Sequence, residues 1–197
     1  MMRLIVVTDT AFLPDEAQAI RLLLDNGVER VHLRKPDAPA DALRRLIESL
    51  PTDLYPRLSL HDHFSLAVQY RLGGVHLNGR NPVAPAEFRG LISRSCHSID
   101  EAAACRTTTD YRFLSPVFDS ISKRGYRPSV RPQAFFRARE QGYIDNDTFA
   151  LGGVEPQKLA LLQAYGFGGA ALLGYIWQDA TPRRLIRRIA TLRKYML

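Results

Sequence analysis

The sequence of 197 residues predicts an α/β fold, a single (β/α)8 TIM barrel close to the minimum size for that architecture, and three observations carry the prediction. Eight short runs rich in Val, Ile, Leu and Phe recur along the chain. Each is followed by a polar or Gly/Pro turn and then by a segment with helical periodicity. The spacing between runs is near the minimum for a parallel crossover, so neighbouring strands are parallel. Eight such units close on themselves more readily than they open into a doubly wound sheet, which is the alternative arrangement. About 200 residues is the lower bound for the closed form. The loops must then be short, and residues 1–197 make one domain.

The strands are expected at 4–9 (LIVVTD), 30–35 (RVHLRK), 57–62 (RLSLHD), 74–79 (GVHLNG), 92–97 (ISRSCH), 111–118 (YRFLSPVF), 148–153 (TFALGG) and 169–174 (GAALLG). Helical segments are expected near 15–25, 40–49, 64–71, 84–89, 99–105, 132–140 and 156–164, with a last one from 182. In that last segment Leu185, Ile186, Ile189 and Leu192 recur at helical spacing, and arginines cover the other faces.

Composition narrows the function classes. Hydrophobic residues make up 46% of the chain, enough for a real core, and no stretch approaches the roughly 20 apolar residues of a membrane span. The five-residue apolar run near the amino terminus is too short for a signal-peptide core, so a cytoplasmic location is expected. Cys96 and Cys105 lack paired-ligand spacing and read as small core residues. Much of the net charge of +7 lies in the last helix as a solvated basic face. With no recognition motif beside it, neither nucleic acid nor membrane is expected as a partner. A homo-oligomer is compatible with the pattern, and nothing in the sequence sets the copy number.

In a barrel of this kind the site lies where strands end and loops begin. The expected ends carry His32, Arg34 and Lys35; His61, Asp62 and His63; His76, Asn78 and Arg80; Ser95 and His97; and the glycines of ALGGV and FGGAALLG. All five histidines fall on or just after strands two to five, which suggests a polar rim facing a ligand. His32 and Arg34 share a strand face by alternation, and a guanidinium there suits a phosphorylated ligand or pairs with Asp9 or Asp62. His61 and His63 also share a face if their strand persists, which would suit a transition metal. Asp62 alone could help hold Mg²⁺ against ligand phosphates. Glycines ending strands seven and eight let backbone N–H groups approach a phosphate, or simply form tight turns. The stretch FLSPVFDSISKRG at 113–125, with its hydroxyls and cations, reads as a phosphate grip in this fold and as a solvated turn outside it.

Taken in order, HLRK, HDHFSLAVQYRLGGVHLNG, SRSCHSIDEA, DYRFLSPVFDSISKRG, ALGGV and GAALLGYI resemble the thiamine phosphate synthase and thiazole tautomerase (TenI-like) superfamily, from about residue 3 to residue 180. The resemblance implies a transferase of thiamine biosynthesis that joins hydroxymethylpyrimidine pyrophosphate to thiazole phosphate and releases pyrophosphate, with Mg²⁺ as cofactor. Carried over by position, it implies Arg34 and Lys123 as catalytic residues and Asp62 as the metal ligand, with His61, in the place of a family asparagine, as a further catalytic candidate suited to proton transfer. It implies His32, Ser95, Ser120, Ser122, Gly153 and Gly174 as substrate-binding residues. The sequence departs from the family pattern. His32 and His61 stand in the places of a glutamine and an asparagine, and Pro116 stands where the tautomerase branch has its general acid/base histidine. Two further positions bear on pyrophosphate and Mg²⁺. Pro36 stands where a pyrophosphate lysine is expected, and Asn81 stands where a second Mg²⁺ aspartate is expected. A tautomerase-like isomerase and a non-catalytic binder of pathway phosphates are therefore the other readings.

Overall fold

The computed structural model describes residues 2–118 and 132–196. Eight parallel strands form a closed barrel in sequence order: β1 (Arg3–Val7), β2 (Arg30–Leu33), β3 (Leu58–Leu60), β4 (Gly74–Leu77), β5 (Leu91–Cys96), β6 (Tyr111–Leu114), β7 (Thr148–Ala150) and β8 (Gly169–Leu172). Closure comes from β1 against β8, with Leu4 beside Ala170 and Val6 beside Leu172. Each strand is shorter at its end than the apolar run suggests. The end residues leave the ladder to form the rim.

Helices α1 (Glu16–Asp25), α2 (Ala40–Glu48), α3 (Phe64–Gln69), α4 (Ile99–Ala104), α5 (Pro132–Glu140) and α6 (Leu159–Ala164) surround the sheet, followed by α7 (Gly174–Trp177) and α8 (Pro182–Met196). Their buried stripes follow helical spacing, as in Leu43, Leu46 and Ile47 of α2, and they pack on the outward residues of the strands to form the larger core. In α8, Leu185, Ile189 and Leu192 are buried, whereas Ile186 is exposed.

Two expectations about helices are corrected. Residues 84–89 form no helix: between β4 and β5 there is a single turn in which Phe88 N–H donates to Pro85 O at 3.0 Å. Pro82 and Pro85 remove backbone donors just where a helix would need them. On the outer face of β5 Arg94 is consequently exposed and Ile92 only half-buried. Conversely, Gly174 opens the short helix α7 instead of ending a strand, and Trp177 Nε1 at its end donates to Val7 O at 2.7 Å. Among the described residues no helix is long and apolar enough to cross a membrane.

Candidate functional site

A cavity of about 990 Å³ opens at the C-terminal ends of the strands. Its wall includes Arg34 after β2, His61 after β3, Arg80 after β4, Ser95 of β5, Gly153 after β7 and Gly174 after β8. Arg34 is held by its backbone. The Thr8 hydroxyl, fully buried after β1, accepts the Arg34 N–H at 2.9 Å and leaves the guanidinium without a partner among the described residues. Gly152 and Gly153 take successive left-handed conformations, φ +94° and +61°, which a side chain would strain. A Cβ on Gly174 would meet nothing within 4 Å, so packing does not require glycine there. The N–H groups of Gly153 and Gly174 have no backbone acceptor among the described residues. Both readings of the glycines hold together at 152–153: the turn needs them, and it bares backbone donors.

The floor is a histidine network. His61 continues β3 by one residue, its N–H donating to Leu33 O at 3.2 Å, and this keeps its ring on the inner face. Its Nε2 lies 2.9 Å from His32 Nδ1, and His32 Nε2 lies 2.7 Å from the Tyr111 hydroxyl. His76 stacks on His61 at 4.1 Å and bridges Ser93 and Ser95 through its two nitrogens, each at 2.8 Å. Burial drives all three imidazoles below their ordinary pKa, His76 to about 3. Mutual repulsion and the neighbouring Arg34 and Arg80 lower His61 further. All three are neutral at pH 7. Their donor atoms lie within 4.8 Å of one another, a spacing that invites a metal. Yet 2.9 Å between His32 and His61 is hydrogen-bond spacing, closer than the roughly 3.3 Å between two nitrogens on one tetrahedral zinc. The nitrogens of His32 and His76 are also already engaged.

The histidine rim expected from the sequence is thus corrected. His61 and His97 line the cavity, while His32 and His76 are fully buried inside the barrel. His32, expected to touch substrate, is not among the lining residues and acts on the cavity through His61. His63 does not pair with His61. The strand has ended, His63 takes φ 54° at the start of α3, and its ring bonds Ala38 O at 2.8 Å. Lys35 is sealed away, donating to Glu16 at 2.7 Å and to the carbonyls of Asp9 and Ala11. Ser120, Ser122 and Lys123 lie outside the described residues.

Asp62 and its surroundings test the expected Mg²⁺. The Asp62 carboxylate accepts Arg80 Nε at 3.1 Å and Nη2 at 2.9 Å, and Asn81 Nδ2 at 3.0 Å, all on Oδ1. Asn81 Nδ2 also donates to His61 O at 3.0 Å, so two acceptors fix which way the amide faces. Three donors crowd Oδ1, and Oδ2 takes Arg80 Nη2 at 3.2 Å. The guanidinium sets a positive charge and Asn81 a neutral amide where a small octahedral cation would need carboxylate oxygens. These residues do not fit Mg²⁺. Alternation shows that Asp62 is available at a strand end; it does not show that Arg80, eighteen residues later, folds back onto it.

Comparison with known proteins agrees with this architecture. The family model described as thiamine monophosphate synthase matches residues 4–176. The chain belongs to that family. A relative from Geobacter sulfurreducens is 33% identical over 178 residues, covering 86% of this chain and 83% of its own. The thiamine-phosphate synthase of Phocaeicola vulgatus is 26% identical over 207 residues, covering 94% and 93%. A crystal structure of thiamine phosphate pyrophosphorylase from Bacteroides thetaiotaomicron superposes with a TM-score of 0.89 at 33% identity, over 98% of this chain and 97% of that one. This member of the thiamine monophosphate synthase family has Arg34 after β2 and sets the Arg80 guanidinium on the carboxylate after β3.

Proposed function

We propose that this chain is a thiamine-phosphate synthase-type transferase, working as one barrel over residues 1–197 in the cytoplasm. The observation that supports it best is the cavity itself. Arg34 and Arg80 stand on one side and the bare turns at Gly153 and Gly174 on the other, in about 990 Å³. That is enough room for a phosphorylated pyrimidine and a phosphorylated thiazole, since pockets for single drug-sized ligands span roughly 300–1,000 Å³. In the reaction the bond between the pyrimidine methylene carbon and the pyrophosphate oxygen breaks, and its electron pair leaves with pyrophosphate. The thiazole nitrogen then bonds to that carbon.

The protein acts by positioning and charge. Arg34, free to fork onto an anion, stabilises the departing pyrophosphate. The Gly153 and Gly174 backbone receives the thiazole phosphate, and Ser95, anchored by His76, sits between the two ends. His61 is neutral and adds no charge to repel the carbocation. No step is routed through a metal, because the residues at Asp62 do not accommodate one.

The test supplies both substrates to purified protein and measures thiamine phosphate and pyrophosphate together. Stoichiometric release of both is expected, with Arg34→Ala lowering turnover by about 10- to 100-fold, the range for a charge-assisted contact. Absence of pyrophosphate at high enzyme concentration overturns the reading. Thiazole isomerisation without it would assign the tautomerase reaction instead.

A further inference from the structure

Among the charged groups at the cavity, Arg80 has no role assigned from the sequence, yet the structure builds an elaborate support for it. We propose that Arg80 takes the place of a bound divalent cation in this chain: Asp62 and the Asn78–Asn81 turn present its guanidinium to the cavity, where it and Arg34 together bind the pyrophosphate group without metal. The proposal rests on the transferase reading above and assigns that reaction its anion site.

The turn is rigid. Asn78 and Asn81 exchange backbone hydrogen bonds in both directions at 3.1 Å. The Asn78 side-chain oxygen accepts the N–H groups of Arg80 and Asn81, and its amide donates to His61 O at 2.8 Å. The end of β3 and the loop after β4 are thereby clamped together, and Arg80 leaves the clamp with its backbone fixed. Its side chain then lies along Asp62, using Nε and Nη2. Nη1, with two N–H groups, has no partner among the described residues, and Arg80 lines the cavity with its side chain half exposed. Asp62 is 6% exposed, so the anion serves the arginine and is not itself offered to a ligand.

Charge follows the same logic. A divalent ion between two carboxylates is neutral as a unit. Arg80 on one carboxylate, with the amide of Asn81 in the second position, is neutral as well. The exchange of a carboxylate for Asn81 and of a metal for a guanidinium are therefore one change, not two. What differs is the contact: a guanidinium supplies planar N–H donors matched to phosphate oxygens. Arg34 supplies the excess positive charge from the end of β2, across β3 from Arg80, and both act on His61 between them.

The experiment is titration calorimetry with inorganic pyrophosphate, in EDTA and in Mg²⁺, on wild type, Arg80→Ala, Arg80→Lys and Asp62→Asn. The expected result is binding in EDTA within about threefold of that in Mg²⁺. Arg80→Ala should weaken metal-free binding by about 10- to 100-fold, and Arg80→Lys by less. Asp62→Asn keeps the guanidinium but loosens its anchor and should fall between wild type and Arg80→Ala. Thermal melts confirm that each variant is folded. Binding that requires Mg²⁺, no binding under either condition, or wild-type affinity in a folded Arg80→Ala overturns the proposal. The two-substrate assay separates it from the transferase reading. Turnover that needs Mg²⁺ and ignores Arg80 would sink this inference alone, whereas metal-free, Arg80-dependent pyrophosphate binding without turnover would sink only the transferase.

Discussion

From β2 to β5 the inner face of the barrel carries Arg30, His32, Ser59, His61, His76 and Ser93; from β6 around to β1 it carries Tyr111, Phe113, Phe149, Ala171, Ile5 and Val7. The second half is the packed apolar interior expected of a parallel barrel. The first is a continuous polar network in which Arg30 donates to Ser59 and the histidines bond one another, two serines and a tyrosine. The halves meet at Phe113, whose ring lies 4.8 Å from His32 and 4.7 Å from His76. Both interiors are buried, and they hold by different forces. Packing holds the apolar half at any pH, while the polar half holds only as long as its imidazoles stay neutral.

Acid should therefore break one half first, and this is the largest effect expected. His32, His61 and His76 all have folded pKa values depressed below 6.5 by burial, His76 to about 3. Below pH 6.5 the unfolded chain binds these protons and the folded chain does not. The stability is fully present above 6.5 and is lost as pH falls toward the folded values. His76 alone removes about 2 kcal/mol by pH 5, and His32 and His61 add losses of the same sign. Urea denaturation at a series of pH values from 8 to 5 measures this. A flat profile would mean that the imidazoles are charged or solvated in the native state.

Cutting the seam comes next. Phe113→Ala removes a fully buried ring and should destabilise by about 3–5 kcal/mol. Phe149→Ala, deeper in the apolar half, should lose a similar amount. The acid profile distinguishes them. Space opened beside His32 and His76 admits water and raises their pKa values, so Phe113→Ala should flatten the pH dependence. Phe149 touches neither histidine in the ring contacts, and its variant should keep the wild-type slope. Equal slopes in the two variants would show that the network does not depend on the seam.

This division also explains how much was legible in the sequence. Eight apolar runs at crossover spacing gave every strand and the closed order, because period-two burial and chain length are local signals. Alternation put His32 and Arg34 on one strand face, and the structure turns His32 inward. What alternation could not give is depth: His32 lies within the strand, His61 one residue past the ladder, and His63 beyond the turn, so three similar histidines became floor, wall and loop. The pairings that decide the cations were equally hidden. Lys35 is consumed by Glu16 nineteen residues earlier, and Arg80 folds onto Asp62 from the next loop. Both depend on loop geometry set by Thr8 and the Asn78–Asn81 turn. Tyr111 opens the apolar run of β6, and nothing nearby in sequence marks its hydroxyl as a histidine partner.

That hydroxyl is the smallest and sharpest test. It is the one polar atom the apolar side sends into the network, 2.7 Å from His32 Nε2 and 3.4 Å from Ser59 Oγ. If Tyr111 donates, His32 carries its proton on Nδ1 and donates to His61, which then offers an N–H at its other nitrogen. If Tyr111 accepts, every bond in the chain reverses, and His61 offers a lone pair. Either state is neutral, so one proton shift across the floor changes what His61 shows a substrate without creating a buried charge. Tyr111→Phe leaves His32 Nε2 without that partner and should destabilise by about 1–2 kcal/mol, as expected for one buried hydrogen bond. An unpaired N–H in the apolar seam is worse than an unpaired lone pair, so the variant should lock His32 with its proton on Nδ1. Nitrogen-15 NMR of the histidine rings reads this directly: one fixed tautomer of His32 in Tyr111→Phe, and tautomer populations in wild type that respond to ligand in the cavity. Identical spectra in the two proteins would show that the tyrosine only fills space and that the two halves of the barrel meet by packing alone.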